Sequence, residues 1–295
     1  MIAGGVTYQD EILNEVEVIE KSRNCQLPSL PIDISASPSI FQHGRDILLC
    51  GGKNNLYDCL KLDIRNATWS HFNSMNQPKS FSTVIQMKTE TYIVGGEEGN
   101  SKYSNDFLQH CKNGWQNGPK LPNHGLDGAC GVMISDTLFL LAGGFSTPKQ
   151  IQIFDTSNKL WYGHVIQLQQ GRAFHQCIVF KNKIIITGGL EEGFLDYLDS
   201  TEIIDIDGVK LTLRNGTFMN DKRAHHGMGI VTINDTPTMI VFGGSNSVTQ
   251  FLNSVEEWDD VNEEWHLSNW TLNTFKHQFG FATLPIELIC PQSKP

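Results

Sequence analysis

Short apolar runs, each followed by a pair of glycines, recur along the whole chain. The runs are too short for helices and are rich in β-branched and aromatic residues, so they predict buried strands. A strand that ends in a tight bend needs backbone angles that a side chain would obstruct, which predicts a structural role for the glycines. The runs lie at residues 47–50, 92–94, 139–142, 184–186 and 239–242. The pairs are Gly4 and Gly5, Gly51 and Gly52, Gly95 and Gly96, Gly143 and Gly144, Gly188 and Gly189, and Gly243 and Gly244.

Further strands surround each apolar run. Alternating apolar and polar residues after a polar loop predict a strand with one buried face, as at residues 151–155 and 201–205. A turn comes next, and an apolar strand precedes most glycine pairs, as at residues 173–180. Each unit is therefore predicted to contain four strands. Most units also carry a tryptophan after the turn, which we predict to be structural because it recurs at a similar place: Trp69, Trp115, Trp161 and Trp265.

The glycine pairs recur at a nearly constant period. Counted between first glycines, the steps are 47, 44, 48, 45 and 55 residues, which indicates a repeat array. A Gly-Gly pair, then an apolar-Glu-x-apolar-Asp strand and then a Trp, resembles the kelch repeat over roughly residues 1–285. The resemblance implies an all-β fold, a six-bladed kelch β-propeller with four antiparallel strands in each blade. The units led by Gly4 and Gly188 depart from it, since they lack the Trp.

The two ends of the chain are predicted to share one blade. Met1 stands three residues before the first glycine pair, so the first unit lacks its innermost strand. Residues 279–284 resemble an innermost strand and have no glycine pair after them. We expect this C-terminal strand to close the ring and to leave no exposed sheet edge. The propeller then spans residues 1–286, and residues 287–295 form a short tail.

Composition narrows the possible partners. The formal net charge of −10 disfavours nucleic acid, which needs a concentrated basic surface. No apolar run is long enough to cross a membrane as a helix. No cofactor is predicted, because no phosphate-binding loop, nucleophile motif or pair of catalytic carboxylates stands out. The expected partner is another protein.

The seven cysteines are an odd number. Cys50, Cys130 and Cys177 fall in predicted core strands and are expected to be buried free thiols. The others are placed on outer strands or in the tail and match no zinc signature, although a disulfide between Cys25 and Cys290 stays open. The thiol count and the lack of a signal peptide favour the cytoplasm, and secretion is the alternative if the chain begins within a longer protein. These four are Cys25, Cys59, Cys111 and Cys290.

One face of the predicted propeller gathers the candidate binding residues. Loops between second and third strands and the connections between blades emerge on the same side, where loops on a rigid scaffold carry function. Cations just before the innermost strands are predicted to ring the channel mouth and to bind an acidic partner segment. The alternative is that they are solvated or bonded to backbone carbonyls. The candidates are the cations Lys79, Arg172, Arg223 and Lys276, and the loop residues Asn54, Tyr103, Phe145, Phe194 and Asn246.

Three histidines near the same mouth leave a metal site open. His175, His225 and His226 start innermost strands, but no Asp, Glu or Cys stands at ligand spacing from them. We therefore predict no metal and no catalytic residue. The kelch resemblance implies a protein-binding adaptor, with substrate capture for a cullin-type ubiquitin ligase or actin contact as the usual roles. Those roles need a BTB-type segment, and the sequence shows none before Met1, so we expect a fragment of a longer protein, a divergent stand-alone member or an extracellular propeller. The alternative is a propeller enzyme or an extracellular carbohydrate-binding propeller.

Overall fold

The computed structural model describes residues 1–7, 11–19, 26–34, 37–53, 56–88, 90–99, 102–104, 106–111, 114–122, 126–193, 196–208, 210–285 and 289. Five four-stranded antiparallel sheets and one three-stranded sheet account for the main strands of this part of the chain. The innermost strands of the four-stranded sheets contact each other in chain order. The innermost strand of the three-stranded sheet contacts that of the first four-stranded sheet. The sheets are therefore the blades of an all-β, six-bladed propeller, as the repeat predicts.

In blades 2 to 6 the strands follow chain order from the axis outward. Blade 2 contains β3 (Ser39–His43), β4 (Asp46–Cys50), β5 (Cys59–Asp63) and β6 (Thr68–Phe72). Blade 3 contains β7 (Thr83–Gln86), β8 (Thr91–Val94), β9 (Phe107–Cys111) and β10 (Gly114–Asn117). Blade 4 contains β11 (Cys130–Met133), β12 (Leu138–Ala142), β13 (Gln150–Asp155) and β14 (Leu160–Gln167).

Blades 5 and 6 each carry one additional pair of very short strands on the loop side. The main strands of blade 5 are β16 (Gln176–Phe180), β17 (Lys183–Thr187), β19 (Thr201–Asp207) and β20 (Lys210–Asn215), and its short pair is β15 (Arg172–Ala173) and β18 (Leu190–Glu191). The main strands of blade 6 are β21 (Gly227–Ile233), β22 (Thr236–Phe242), β25 (Ser254–Asp259) and β26 (Glu264–Thr271), and its short pair is β23 (Ser245–Ser247) and β24 (Gln250–Phe251).

Blade 1 is built from both ends of the chain. Strand β27 (Gly280–Phe281) pairs with β1 (Ile2–Ala3), which pairs with β2 (Val16–Glu17). Phe279, just before β27, packs with Ile2 and with Phe242 of blade 6 in one buried cluster. The predicted closure by the C-terminal strand is confirmed. The predicted tail lies outside the described residues, apart from residue 289.

The glycine pairs join each blade to the next. Gly143 and Gly144 both have positive φ, at 63° and 103°, a region that residues with a Cβ rarely adopt. A Cβ on Gly143 would lie 2.5 Å from the carbonyl oxygen of Arg172, and the Gly144 N–H donates to that same oxygen at 3.0 Å. The second glycine of every pair makes this bond to the residue that leads into the next blade, which is Ile34, Lys79, Leu126, Arg172, Arg223 or Lys276.

The four recurring tryptophans each contact the preceding blade. Trp161 of blade 4 packs its ring against Phe107 of blade 3, with ring centroids 6.0 Å apart. The other three donate their indole N–H groups backward along the chain, from Trp69 to the Pro28 carbonyl, from Trp115 to the Asn73 carbonyl and from Trp265 to Thr201 Oγ1. Only Trp265 of the four is buried, and the rest are half-buried.

The expectation of free buried thiols is wrong. Cys50 on β4 lies directly opposite Cys59 on β5, and the two form a disulfide within blade 2. Cys130 on β11 and Cys177 on β16 form a second disulfide, which joins the innermost strands of blades 4 and 5. Register and blade order bring these pairs together, and neither is visible in the cysteine spacing. Cys59 also lies in a buried third strand, whereas Cys111 on β9 is a free thiol. Cys25 and Cys290 lie outside the described residues.

Candidate functional site

The four predicted mouth cations are buried inside the blades. The exposed fractions of Lys79, Arg172, Arg223 and Lys276 are between 0% and 1%. The guanidinium of Arg172 donates to the Gly188 carbonyl at 2.8 Å, to Ser200 and to Glu202 Oε1 at 2.7 Å. The prediction that these cations ring an open mouth is wrong, because each side chain turns from its lead-in segment into its own blade. The alternative of bonding to backbone carbonyls describes the two arginines better.

A buried glutamate holds each arginine. Glu202 and Glu256 occupy the same place on the third strands of blades 5 and 6, with 2% and 0% of their surface exposed. Glu256 accepts from Arg223 at 2.7 Å and from the backbone N–H groups of residues 220 and 221. Each carboxylate therefore joins the arginine, the third strand and the lead-in segment. The apolar-Glu-x-apolar-Asp strand contains this glutamate, and its recurrence beside Arg172 and Arg223 was the signal that could have revealed the pair.

The two lysines find different partners. Lys79 Nζ donates to Ser104 Oγ and to the Asp106 carbonyl, and burial lowers the pKa of Lys79 to about 8, against the opposing effect of Glu98 and Asp106. Lys276 Nζ forms an ion pair with Glu17 at 3.0 Å, so the buried cation of the last lead-in joins the N-terminal strands of blade 1. Apolar Ile34 and Leu126 take the corresponding places in the two remaining lead-ins.

Residues in left-handed backbone conformation form a ring at the true mouth of the channel. Each stands just before an innermost strand, and four of the backbone N–H groups donate to the carbonyl of the preceding member. His225 N–H donates to Phe174 at 2.9 Å, and Phe174 N–H donates to Gly128 at 2.7 Å. We call this set the mouth ring; its members are Ser37, Phe81, Gly128, Phe174, His225 and Gln278.

Aromatic side chains of the mouth ring meet over the axis. The rings of Phe174 and His225 stack at 4.2 Å, and Phe81 lies 5.6 Å from Phe174 and 6.0 Å from His225. Blades 3 and 6 are opposite each other in a six-bladed ring, so the contact between Phe81 and His225 crosses the axis. All three side chains are half-buried. This central aromatic cluster, Phe81, Phe174 and His225, gives the loop face an apolar centre in place of the expected cationic one.

A second group of candidate residues lies beside this cluster, between blades 3 and 4. The rings of Tyr103 and Phe145 are 5.3 Å apart and tilted by 40°. Glu97 pairs through its backbone with Tyr103, and the Phe145 N–H donates to the Asp127 carbonyl at 2.8 Å. Two loop candidates are thus brought together, whereas Asn246 lies apart on β23 of blade 6. Asn54 and Phe194 lie outside the described residues. Asp127, which follows Leu126 in the lead-in of blade 4, also belongs to this group and is not predicted from the sequence.

Two comparisons with known proteins address the repeat directly. The family model of the Kelch motif matches residues 224–268, which span the lead-in and the main strands of blade 6. The chain is a six-bladed β-propeller that contains a kelch repeat in blade 6. Its fold is similar to that of the solved structure of YjhT, with a TM-score of 0.70, 16% sequence identity, and coverage of 86% of this chain and 88% of that chain. No curated protein sequence matches the chain. Kelch propellers generally mediate protein–protein interactions.

Of the three candidate histidines, His175 and His226 are buried between the blades, and His225 belongs to the central aromatic cluster. His175 and His226 are each 1% exposed, and His226 Nε2 lies 3.0 Å from Thr187 Oγ1. Burial lowers the pKa of both far below the usual value, and it lowers the pKa of His225 to about 3, so all three rings are neutral at pH 7. Within the described residues, no three His, Cys, Asp or Glu side chains are grouped closely enough to hold a metal ion.

The central channel of the kelch propeller lies below the aromatic cluster. It has a volume of about 310 Å³ and is lined by the innermost strands of blades 1 to 5, by His226 before the innermost strand of blade 6, and by five of the six members of the mouth ring. Most of its lining side chains are small or apolar, such as Thr83, Gly131 and Ile178. No helix in the described part of the chain is long and apolar enough to cross a membrane.

Proposed function

We propose that this kelch propeller is a binding scaffold that recognises a segment of another protein on its loop face. The observation that carries the proposal is the central aromatic cluster, where three half-buried rings from blades 3, 5 and 6 meet over the axis. Aromatic residues near the centre of a face are the side chains that most often dominate binding energy between proteins. The surrounding loops supply the adaptable contacts, and the blades hold the loops rigidly.

The structure changes the set of candidate contact residues. Tyr103, Phe145 and Asn246 stay candidates, because all three are half-buried on the loop face. The four buried cations leave the set, since no partner could reach them without unfolding a lead-in segment. An acidic partner segment was expected only because those cations were thought to be exposed, so that expectation loses its basis.

The two disulfides favour a partner outside the cytoplasm. Disulfides between Cys50 and Cys59 and between Cys130 and Cys177 are typical of proteins that mature in an oxidising compartment. Capture of ubiquitin-ligase substrates and contact with actin both take place in the reducing cytoplasm. We therefore favour a secreted or surface-exposed protein as the partner and rank those two roles below it.

The test begins with covalent capture of partners by a crosslinker, followed by affinity measurement with the purified partner. Phe174→Ala should weaken binding by about tenfold or more, as loss of a central aromatic contact does. Val261→Ala is the matched control, because Val261 is 90% exposed in the turn between β25 and β26 on the opposite face. Thermal melting must show that both variants are folded. Equal affinity of Phe174→Ala and the parent protein would remove the loop-face centre as the binding surface.

A further inference from the structure

One buried carboxylate on the loop face has no counter-charge within the part of the chain that the structure describes. Asp127 is 4% exposed, and its Oδ1 has no hydrogen-bond partner. No cation of the described residues lies within ion-pair distance of this carboxylate. Glu202 and Glu256 are equally buried, but each is paired with an arginine and accepts backbone N–H groups as well. The Asp127 carboxyl group has a backbone hydrogen bond from Gly128, but the described part of the blade supplies no cation, the partner that a buried carboxylate normally requires.

The reason lies in the lead-in of blade 4. Blades 5 and 6 place an arginine at the lead-in and a glutamate on the third strand. Blade 4 has Leu126 at the lead-in, and on its third strand Gln152 pairs with Leu141 of β12 as Glu202 pairs with Ile186 of β17. This blade thus lacks the internal ion pair, and its acidic residue stands one position later, on the side that faces the loop of blade 3.

The surroundings of Asp127 are suited to a cation. Glu97 and Tyr103 from the blade 3 loop lie close enough to interact electrostatically with its carboxyl group. The Tyr103 ring is 5.3 Å from Phe145, whose backbone N–H is bonded to the Asp127 carbonyl. Carboxylates beside aromatic faces bind guanidinium and ammonium groups through charge-assisted hydrogen bonds and cation–π contacts. All four residues come from the facing segments of two neighbouring blades.

We infer that Asp127, Glu97, Tyr103 and Phe145 form a subsite for a cationic side chain, arginine or lysine, of the bound protein segment. The inference rests on the proposed function and specifies the charge of the partner. In blade 5 the chain itself provides the guanidinium that satisfies a buried carboxylate. At Asp127 the partner would provide it, while the segment continues across the central aromatic cluster.

The test uses small probes and needs no identified partner. Isotope-labelled protein is titrated with N-acetyl-arginine N-methylamide, and the matched neutral probe is the citrulline analogue, which has nearly the same shape. We expect shifts of the backbone amide signals of Glu97, Tyr103, Gly128 and Phe145 with the arginine probe. The affinity for the citrulline probe should be lower by about tenfold, the loss expected when a charged hydrogen bond is removed. Similar shifts with both probes, or no shifts at these amides, would overturn the inference.

Two substitutions distinguish arginine binding at the subsite from a general effect of negative surface charge. Asp127→Asn should weaken arginine binding by about tenfold. Glu192→Gln removes one negative charge from an exposed residue of the same face and should leave the affinity unchanged. Equal losses in both variants would overturn the inference. If thermal melting shows that Asp127→Asn is not folded, Glu97→Gln and Tyr103→Leu replace it, and each should weaken arginine binding in the same way. Failure of the probes together with a weakened partner in Phe174→Ala would refute the subsite and leave the proposed function standing.

Discussion

At the scale of single residues, buried charges divide into two kinds in this propeller. In the ion pairs of Arg172 with Glu202 and of Arg223 with Glu256, both carboxylate oxygens accept hydrogen bonds, and the pairs hold lead-in segments to third strands. Within the described residues, only the Nε atoms of the two arginines have no hydrogen-bond partner in these pairs. Asp127 is buried to a similar degree and has an acceptor atom without a partner. Removal of one partner from the first kind leaves an uncompensated buried charge and destabilises the fold, and the second kind opposes folding when it is ionised.

The pH dependence of stability should show whether Asp127 is a buried carboxyl group without a counter-charge. Burial, and after it the charge of Glu97, raises the pKa of Asp127 from 3.8 to about 7. A carboxyl group with a raised pKa in the folded state contributes stability below the unfolded pKa, and this contribution is lost as the pH rises through the folded pKa. Asp127→Asn, which cannot ionise, should therefore melt above the parent at pH 8. The difference should shrink toward pH 4. A melting difference that does not change between pH 4 and pH 8 would contradict the buried, unpartnered state.

Loss of one arginine should show the opposite behaviour. Arg172→Ala leaves Glu202 buried without its cation, which typically costs about 3–5 kcal/mol in the free energy of unfolding. The measurement is denaturant unfolding at pH 7. Lys120→Ala is the control, because Lys120 is 81% exposed and its ion pair with Asp106 is 3.9 Å long. Such surface changes usually stay within about 0.5 kcal/mol. A cost of that small size for Arg172→Ala would show that its side chain is solvated, as the mouth hypothesis assumed.

At the scale of strands and connections, the sequence predicts the order of the strands better than the direction in which the side chains of the connections point. The glycine pairs and the apolar runs locate the second strands of the blades, because a tight bend and a short buried strand have distinct local requirements. The direction of a lead-in side chain depends on the neighbouring strand instead. Arg172 could point into the channel or into its own blade, and only the buried Glu202 decides between them. The sequence does not predict the aromatic cluster for the same reason, because Phe81 and His225 meet across the axis from opposite blades.

The disulfides are a further element-scale feature that local patterns cannot give. Cys130 and Cys177 are 47 residues apart and join two blades, whereas Cys50 and Cys59 are 9 residues apart within one. A disulfide that closes the longer loop restricts the unfolded chain more, so Cys130→Ala with Cys177→Ala should cost about 2–4 kcal/mol and exceed the cost of the Cys50 and Cys59 double variant. Denaturant unfolding of the two double variants is the measurement. A larger loss from the shorter loop would contradict this order.

At the scale of the whole molecule, closure of the ring depends on the last strand. Residues 280–281 pair with β1, and Lys276 forms ion pairs with Glu15 and Glu17. Deletion of residues 275–295 should expose the edge of β1 and the apolar cluster around Phe242, so cooperative unfolding should be lost. Calorimetry and gel filtration are the measurements. A circular permutant that carries residues 275–295 ahead of Met1 is the control and should recover the transition. A truncated chain that melts like the parent would contradict closure.

We propose that the partner occupies the loop face of the propeller. The most direct measurement is hydrogen–deuterium exchange of the propeller, alone and with its captured partner bound. We expect slower exchange in the partner complex where the loops, the mouth ring and the lead-in segments meet, at residues 97–99, 102–104, 126–129, 172–175 and 223–226. Exchange in the hairpins of the opposite face, at residues 134–137, 181–182, 234–235 and 260–263, should not change. Protection confined to those hairpins or to the outer strands would contradict the claim and would place the partner elsewhere on the propeller.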